Sequence, residues 1–310
     1  MQKELSYTIE EVSQLLKVSK LTLYDLVKKG ELPVFRVGRQ MRIDAVDLEH
    51  FIHNHKSSSG ISAPSKDPAP SSFKRSTSQI VISGQDLVLD IFGKYIEKKS
   101  SYKTLRSHTG SLNSLISMYN GECDIASLHM FDGDTGEYNI PYIKRILVGY
   151  SYILINLMSR KAGIYVQKGN PLQIQSCRDL QQKHVRIVNR EKGSGARILL
   201  DEQLRLNSIP ANGIVGYDQE ETSHLSVASS IASGKADAGI GSEKAAKLAG
   251  IDFVPLISER YDLAILKTSA TQPLIQTAKE ILDSEEFQTE VASLGDYDTA
   301  LTGKVMYETQ

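Results

Sequence analysis

Four loop-to-helix junctions after residue 79 carry glycine or a small hydroxyl side chain: Ser83-Gly84, Thr109-Gly110-Ser111, Gly193-Ser194-Gly195 and Thr222-Ser223. The first turn of a helix leaves backbone N–H groups without intrahelical partners and carries the positive end of the peptide dipole, so each junction offers donors to an anion. Taken singly, each is also an ordinary helix cap. Converging between two lobes, the four would make a pocket rich in donors and poor in acceptors, suited to a fully deprotonated tetrahedral oxyanion whose oxygens only accept hydrogen bonds. Nucleotides are disfavoured, because GSGAR lacks the Lys-Ser or Lys-Thr of a phosphate loop and no dinucleotide fingerprint occurs. Arg197 has two roles open to it, complementing a dianion directly or pairing with Asp201 one helical turn on. Asn189 and Arg190 either bind or brace the same loop. His129 and His224, which flank candidate loops, read as structural hydrogen-bonding groups.

Ser194, His224 and Asp237 can be strung into a hydrolase set, but the GxSxG elbow is missing and such sets are easily assembled from a long chain. The chain therefore reads as a binding protein and not an enzyme, with no catalytic residues, resident cofactor or metal. His50, His53 and His55 read as the solvated end of a helix. Cys123 and Cys177 lack metal-like spacing and suit a reducing cytoplasm.

The elements that must position these junctions alternate. QIVISG (79–84) is a strand ending on Ser83-Gly84, followed by a helical pattern with Leu87, Leu89, Ile91, Phe92 and Tyr95. TLRS, the helix SLNSLISMYNG and the strand CDIASLH continue the series, which implies a parallel, doubly wound α/β domain with its ligand at the carboxyl ends of the strands. SLNSLISMYNGECDIAS (111–127) and HLSVASSIASGKADAGI (224–240) echo one another, Gly121 and Asp124 corresponding to Gly234 and Asp237; the echo points to two lobes. ILVGYSYILINLM (146–158) is too short to span a bilayer and reads as buried strand.

A different grammar fills residues 1–55. Thr8 and Glu11 form a capping box before the stripe Ile9, Val12, Leu15 and Leu16. Ser19 can cap a second helix that Gly30 ends, PVFRVGRQMRI suits a hairpin turning at Gly38-Arg39, and Asp44 and Asp47 open a third helix. Basic residues concentrate on the second helix and the hairpin: Lys17, Lys20, Lys28, Lys29, Arg36, Arg39 and Arg42. Ser19, Lys20, Thr22 and Tyr24 stand at the start of the second helix, where recognition helices meet the major groove of double-stranded DNA. Residues 56–78 are rich in serine and proline without hydrophobic periodicity and read as a flexible linker to a domain over 79–310. At 310 residues the chain has room for both, and its net charge of −1 requires any DNA-binding surface to be local. The N-terminus has no signal peptide pattern, which suits a cytoplasmic protein without a membrane anchor.

Residues 7–52, YTIEEV through HFI, resemble the excisionase-type members of the MerR-like winged helix-turn-helix family. The resemblance implies that Ser19 to Lys28 read the groove and that Arg36 to Arg42 contact the backbone. From about residue 80 to 265, the spaced motifs GSLNSLISMYNGECDIASLHMFDGDTGEYNIPYI, GNP, VNREKGSGARILLDEQL, IVGY, SHLSVASSIASGKADAGIG and IDFVPLISERYDL resemble the periplasmic-binding-protein-like domain of cytoplasmic molybdate-responsive regulators. That resemblance implies a two-lobed type II receptor fold closing on molybdate or tungstate, with Ser83, Gly110, Ser111, Ser194, Gly195 and Ser223 as donors. Ala196 stands where such proteins commonly have threonine. The expectation is a transcription regulator, acting as a homodimer, that binds DNA through its head and senses the oxyanion in its α/β receptor domain. An excisionase-like architectural protein and an oxyanion delivery protein for molybdenum cofactor assembly are the alternatives.

Overall fold

A computed structural model describes residues 6–16, 20–28, 32–37, 40–45, 47–48 and 79–309. The chain divides into two units, Met1–Pro68 and Ala69–Gln310; the serine- and proline-rich 56–78 stretch lies outside the described residues.

In the N-terminal unit the order is β1 (Ser6–Thr8), α1 (Ile9–Leu16), α2 (Lys20–Lys28), β2 (Phe35–Val37) and β3 (Gln40–Asp44), and Ala45, Asp47 and Leu48 are again helical. The capping box forms: the Thr8 N–H donates to Glu11 Oε2 at 2.7 Å and the Glu11 N–H to Thr8 Oγ1 at 3.2 Å. β3 pairs antiparallel with both β1 and β2, with Val37 opposite Gln40; the turn expected at Gly38-Arg39 lies outside the described residues. Ile9, Val12, Leu23, Leu32, Ile43 and Leu48 make the small core that holds the helices on the hairpin.

The larger unit begins β4 (Gln79–Ser83), α3 (Val88–Lys99), β5 (Lys103–Ser107), α4 (Ser111–Tyr119), β6 (Ile125–Leu128) and α5 (Ile140–Ile146). The long strand β7 (Tyr152–Val166) leads to β8 (Asn189–Arg190), α6 (Gly195–Leu206), β9 (Glu220–Glu221), α7 (His224–Ala232), β10 (Ala238–Ser242) and α8 (Glu243–Ala249). A second long strand, β11 (Asp252–Leu266), returns to α9 (Gln272–Leu282), α10 (Glu285–Ser293), β12 (Tyr297–Asp298) and β13 (Val305–Glu308).

β4 is parallel to β5 and β6, as the βαβ alternation requires. The expectation of an all-parallel sheet needs correction, because β7 pairs antiparallel with β11 along its length, from Tyr152 opposite Leu266 to Val166 opposite Asp252. These two strands are long enough to serve two cores. Ile153 and Ile155 join Ile82, Phe92 and Leu263 in one, whereas Ile164 and Val166 join Ile187, Leu199 and Ile240 in the other. The ribbon of β7 and β11 therefore links two lobes, with register shifts at Pro255/Ile257 and Tyr261/Asp262 that break the ladder near its middle.

The sequence echo is structural. Gly121 and Gly234 both end their helices at φ 74°, in the left-handed region that favours glycine. Asp124 then exchanges two bonds with Val81, accepting from its N–H at 2.7 Å and donating its own N–H at 2.9 Å; Asp237 does the same with Arg186 at 2.8 and 2.7 Å. Each aspartate thereby fixes where a helix re-enters the sheet of its lobe, and with it where that helix begins.

Candidate functional site

The N-termini of α4 in one lobe and α6 and α7 in the other face a cleft crossed by the middle of the β7–β11 ribbon. The α4 and α6 loops touch: the Leu112 N–H donates to the Gly193 carbonyl at 2.9 Å. Gly110 makes this approach possible, since a Cβ there would lie 2.9 Å from both Gly193 O and the Ser194 backbone. Behind the contact is an inner chamber of about 10 Å³, room for about one water, lined by Gly110, Ser111, Ser194, His129, Arg160 and His224 among others. It shares Gln85, Asp86, Arg160 and His224 with an adjoining outer chamber of about 550 Å³.

Of the residues expected to bind an oxyanion, Gly110, Ser111 and Ser194 line the inner chamber and Ser223 the outer one. Ser111 and Ser194 are each 2% exposed. The Ser111 hydroxyl accepts from the His129 N–H at 3.2 Å, and the Ser194 hydroxyl caps α6 by accepting from the Arg197 N–H at 3.2 Å, so both keep their O–H proton to donate. The Gly195 and Ala196 N–H groups have no partner among the described residues. Ser223 caps α7 reciprocally with Ser226.

Ser83, Gly84, Gly195 and Arg197 line neither chamber. Ser83 is fully buried; its hydroxyl donates to Ser114 Oγ at 2.9 Å and lies 2.7 Å from Thr109 Oγ1, so it braces the α4 loop from behind. Gly84 spends its N–H on the Ser107 carbonyl at 2.8 Å, and a Cβ would fall 1.8 Å from Ser127 Oγ; close packing, not anion binding, accounts for this glycine. Arg197 takes the structural one of its two open roles. Its guanidinium bonds Asp201 at 3.2 Å and Glu220 at 3.2 Å and lies over the Tyr217 ring, held there because α6 directs it away from the cleft. Arg190 lines the inner chamber, and its guanidinium donates to Glu191 at 2.7 Å and across the cleft to Gln85 Oε1 at 2.6 Å. The hydrolase set does not assemble: Asp237 holds the Arg186 N–H, and the ring of His224 meets Arg160.

A cluster of charges at the ribbon's centre escaped the sequence reading. Arg160 of β7, 6% exposed, bonds Glu259 of β11 at 2.6 Å and Asp86 of the β4–α3 loop. His129 Nδ1 meets the other Glu259 oxygen at 2.5 Å, its ring stacked 4.7 Å from Tyr261, and the Tyr297 hydroxyl donates to Asp86 at 3.2 Å. Burial alone would raise the Glu259 carboxyl, but Arg160 and His129 hold it well below the usual carboxylate range. Burial, then Arg190 and Arg160, push the His224 imidazole well below its ordinary value, so it is neutral at pH 7. The cleft is therefore not donor-only: the Asp86 carboxylate lines both chambers with Glu259 buried behind it, and the two share the single charge of Arg160.

In the N-terminal unit, Lys20 and Tyr24 are exposed one turn apart on α2, and Arg36 is exposed on β2. Lys20 pairs with Glu10 at 2.6 Å, a surface bridge of small worth. Arg42 is turned inward along β3, donating to the Ser6 hydroxyl at 3.0 Å and the Ser6 carbonyl at 3.1 Å, which ties the hairpin to β1. Thr22 and Lys28 lie on α2; Ser19 and Arg39, like His50, His53 and His55, lie outside the described residues.

Comparison with known proteins places both units. Residues 93–283 match the model of the PBP superfamily domain and residues 6–56 that of a helix-turn-helix domain. The chain belongs to the PBP superfamily. It is 51% identical over 313 residues to the uncharacterized protein YvgK of Bacillus subtilis (strain 168), covering all of both chains. It is 46% identical over 112 residues to an uncharacterized protein in the ferredoxin 2Fe-2S gene 5' region of Clostridium pasteurianum, spanning 36% of this chain and 99% of that one. Among solved structures, the tungstate ABC transporter from Geobacter sulfurreducens superposes with TM-score 0.51 at 13% identity, over 69% of this chain and 98% of that one. An ABC-type phosphate transport receptor from Vibrio cholerae does so with TM-score 0.50 at 15% identity, over 71% and 99%. At such identity these likenesses show the fold alone: a two-lobed α/β domain. A DNA-binding head joined to a ligand-binding domain is the make-up of a regulator, and no helix among the described residues is long and apolar enough to cross a membrane.

Proposed function

We propose that the protein is a one-component transcription regulator whose receptor unit closes on a tetrahedral oxyanion, molybdate or tungstate, and whose head reads double-stranded DNA. The carrying observation is the meeting, at one chamber, of two buried hydroxyls on opposing helix N-termini, Ser111 and Ser194. These are donors with a positive dipole end, and they serve oxygens that only accept. Gly110 lets the two lobes approach closely enough to enclose the ion. With the loops in contact the chamber is too small for four oxygens about a metal centre. Ligand entry thus parts Leu112 from Gly193, and the bound ion then bridges the lobes in place of that hydrogen bond. In the head, α2 would present Ser19, Lys20, Thr22, Tyr24 and Lys28 to the major groove, with Arg36 and Arg39 of the hairpin on phosphates. A homodimer would set the spacing of two heads, and ligand would act by shifting that geometry.

Calorimetric titration with molybdate, tungstate, sulfate and phosphate tests the reading. Heat is expected with molybdate and tungstate, and loss of one hydroxyl in Ser111→Ala or Ser194→Ala should cost about 1.5–3 kcal/mol of binding, the worth of a hydrogen bond to a charged group. Absence of heat with all four ions would overturn it.

A further inference from the structure

The outer chamber is far larger than any bare oxyanion. Its 550 Å³ falls in the range of sites that take organic molecules, and its wall is partly apolar. Leu87 from one lobe and Leu225 and Leu248 from the other line it while 39%, 49% and 70% exposed, so three large apolar side chains stand in water around one opening. A second, independent observation lies where the two chambers join. Arg160 has only N–H groups to offer, so the 3.2 Å contact between its Nη2 and His224 Nε2 makes that nitrogen the acceptor. The proton of the neutral ring then sits on Nδ1, which is buried and has no partner among the described residues. A buried donor left this way calls for an acceptor supplied by something other than the protein.

We propose that the cleft takes, besides a bare oxyanion, an organic anion: a tetrahedral oxyanion head held between Ser111 and Ser194, an acceptor at His224 Nδ1, and an apolar body filling the outer chamber against Leu87, Leu225 and Leu248. The proposal rests on the oxyanion reading of the inner chamber and adds a second class of ligand that the same chamber would hold by its head. Bare oxyanions occupy the inner part alone.

The test compares one head with and without a body, using 1-naphthyl phosphate and inorganic phosphate titrated calorimetrically into the full chain at pH 8, with tungstate as a separate bare-ion arm. Naphthyl phosphate should bind at least tenfold more tightly than phosphate. Leu225→Asn and Leu248→Asn, both at exposed positions that the fold does not need, should each remove at least fivefold of that excess while leaving the bare-ion affinities unchanged. Naphthyl phosphate binding no tighter than phosphate, or with unchanged affinity in both leucine variants, overturns the proposal; tungstate heat in the same preparation would leave the oxyanion reading standing. Leucine-sensitive binding of naphthyl phosphate with no heat from any bare ion would overturn the assignment of the head.

Discussion

Replacing Arg160 by methionine should be the most costly single change in the receptor unit that leaves its apolar packing in place. The guanidinium is 6% exposed and bonds both Asp86 and Glu259, which are themselves buried. Methionine preserves much of the aliphatic volume but leaves two carboxylates without their cation. Removing one partner of a buried ion pair costs about 3–5 kcal/mol. At about 2–4 °C per kcal/mol for a unit of this size, the melting temperature should fall by roughly 6–20 °C. The chain has no tryptophan, so the transition is followed by circular dichroism or tyrosine fluorescence. The sign of the pH dependence adds a check. Glu259 has a folded pKa held below its unfolded value, so its contribution is fully present above the ordinary carboxylate pKa of about 4.3 and is lost as the pH falls through and beneath that range. In Arg160→Met the main charge holding that pKa down is gone and burial prevails, so the variant loses less on acidification and the gap to wild type narrows below about pH 4. Adding Glu259→Gln to Arg160→Met should recover part of the loss at pH 7. A loss under about 1 kcal/mol, or a gap independent of pH, would refute the view that Arg160 is the main countercharge at the centre of the cleft.

Gly110→Ala should hold the α4 and α6 loops apart, because its Cβ meets the Gly193 and Ser194 backbone at 2.9 Å; Ser111 and Ser194 then cannot close on one ion, and tungstate affinity should drop at least tenfold by calorimetry. Gly84→Ala should instead destabilise by more than about 1 kcal/mol, through both its φ of 144° and its 1.8 Å encounter with Ser127 Oγ, as measured by urea unfolding. Arg197→Met, which removes the bridges to Asp201 and Glu220, should leave tungstate affinity within about threefold of wild type, since hydrogen bonds that do not reach the ligand contribute only indirectly. Arg36→Ala should weaken DNA binding and reduce the log-log salt slope by about 0.9, the value for one lost phosphate contact; an unchanged slope removes Arg36 from the interface.

Local signals were read well from the chain because their physics is local. The Thr8–Glu11 box, the glycine helix stops at Gly121 and Gly234, and the helix starts at Ser111, Gly195 and His224 all lie within a few residues of the sequence features that specify them. What the chain did not disclose depends on long-range pairing. Residues 146–158 read as buried strand, yet nothing in their apolar run marks a partner a hundred residues later. The antiparallel ribbon, and with it the pairing of Arg160 with Glu259, stayed hidden. Arg160 is a buried charge in the otherwise buried run of β7, and that interruption is a signal that could have singled it out; Glu259 stands beside Arg260 and Asp262 in β11, where the sequence does not mark which charge meets it. Ser83 and Gly84 were assigned by their place after a strand, whereas their hydroxyl and N–H are spent on neighbours that only the folded sheet brings near.

The central claim couples two sites in one chain, and linkage makes it measurable directly. Duplexes selected by the protein from a random-sequence pool are titrated by fluorescence anisotropy with and without saturating tungstate, and tungstate affinity is measured with and without the same duplex. The account predicts a change in DNA affinity of at least fivefold, a reciprocal change of the same factor in tungstate affinity, and loss of both effects in Ser111→Ala/Ser194→Ala. Identical DNA affinity with and without saturating tungstate, or an effect that survives in the double variant, would contradict it.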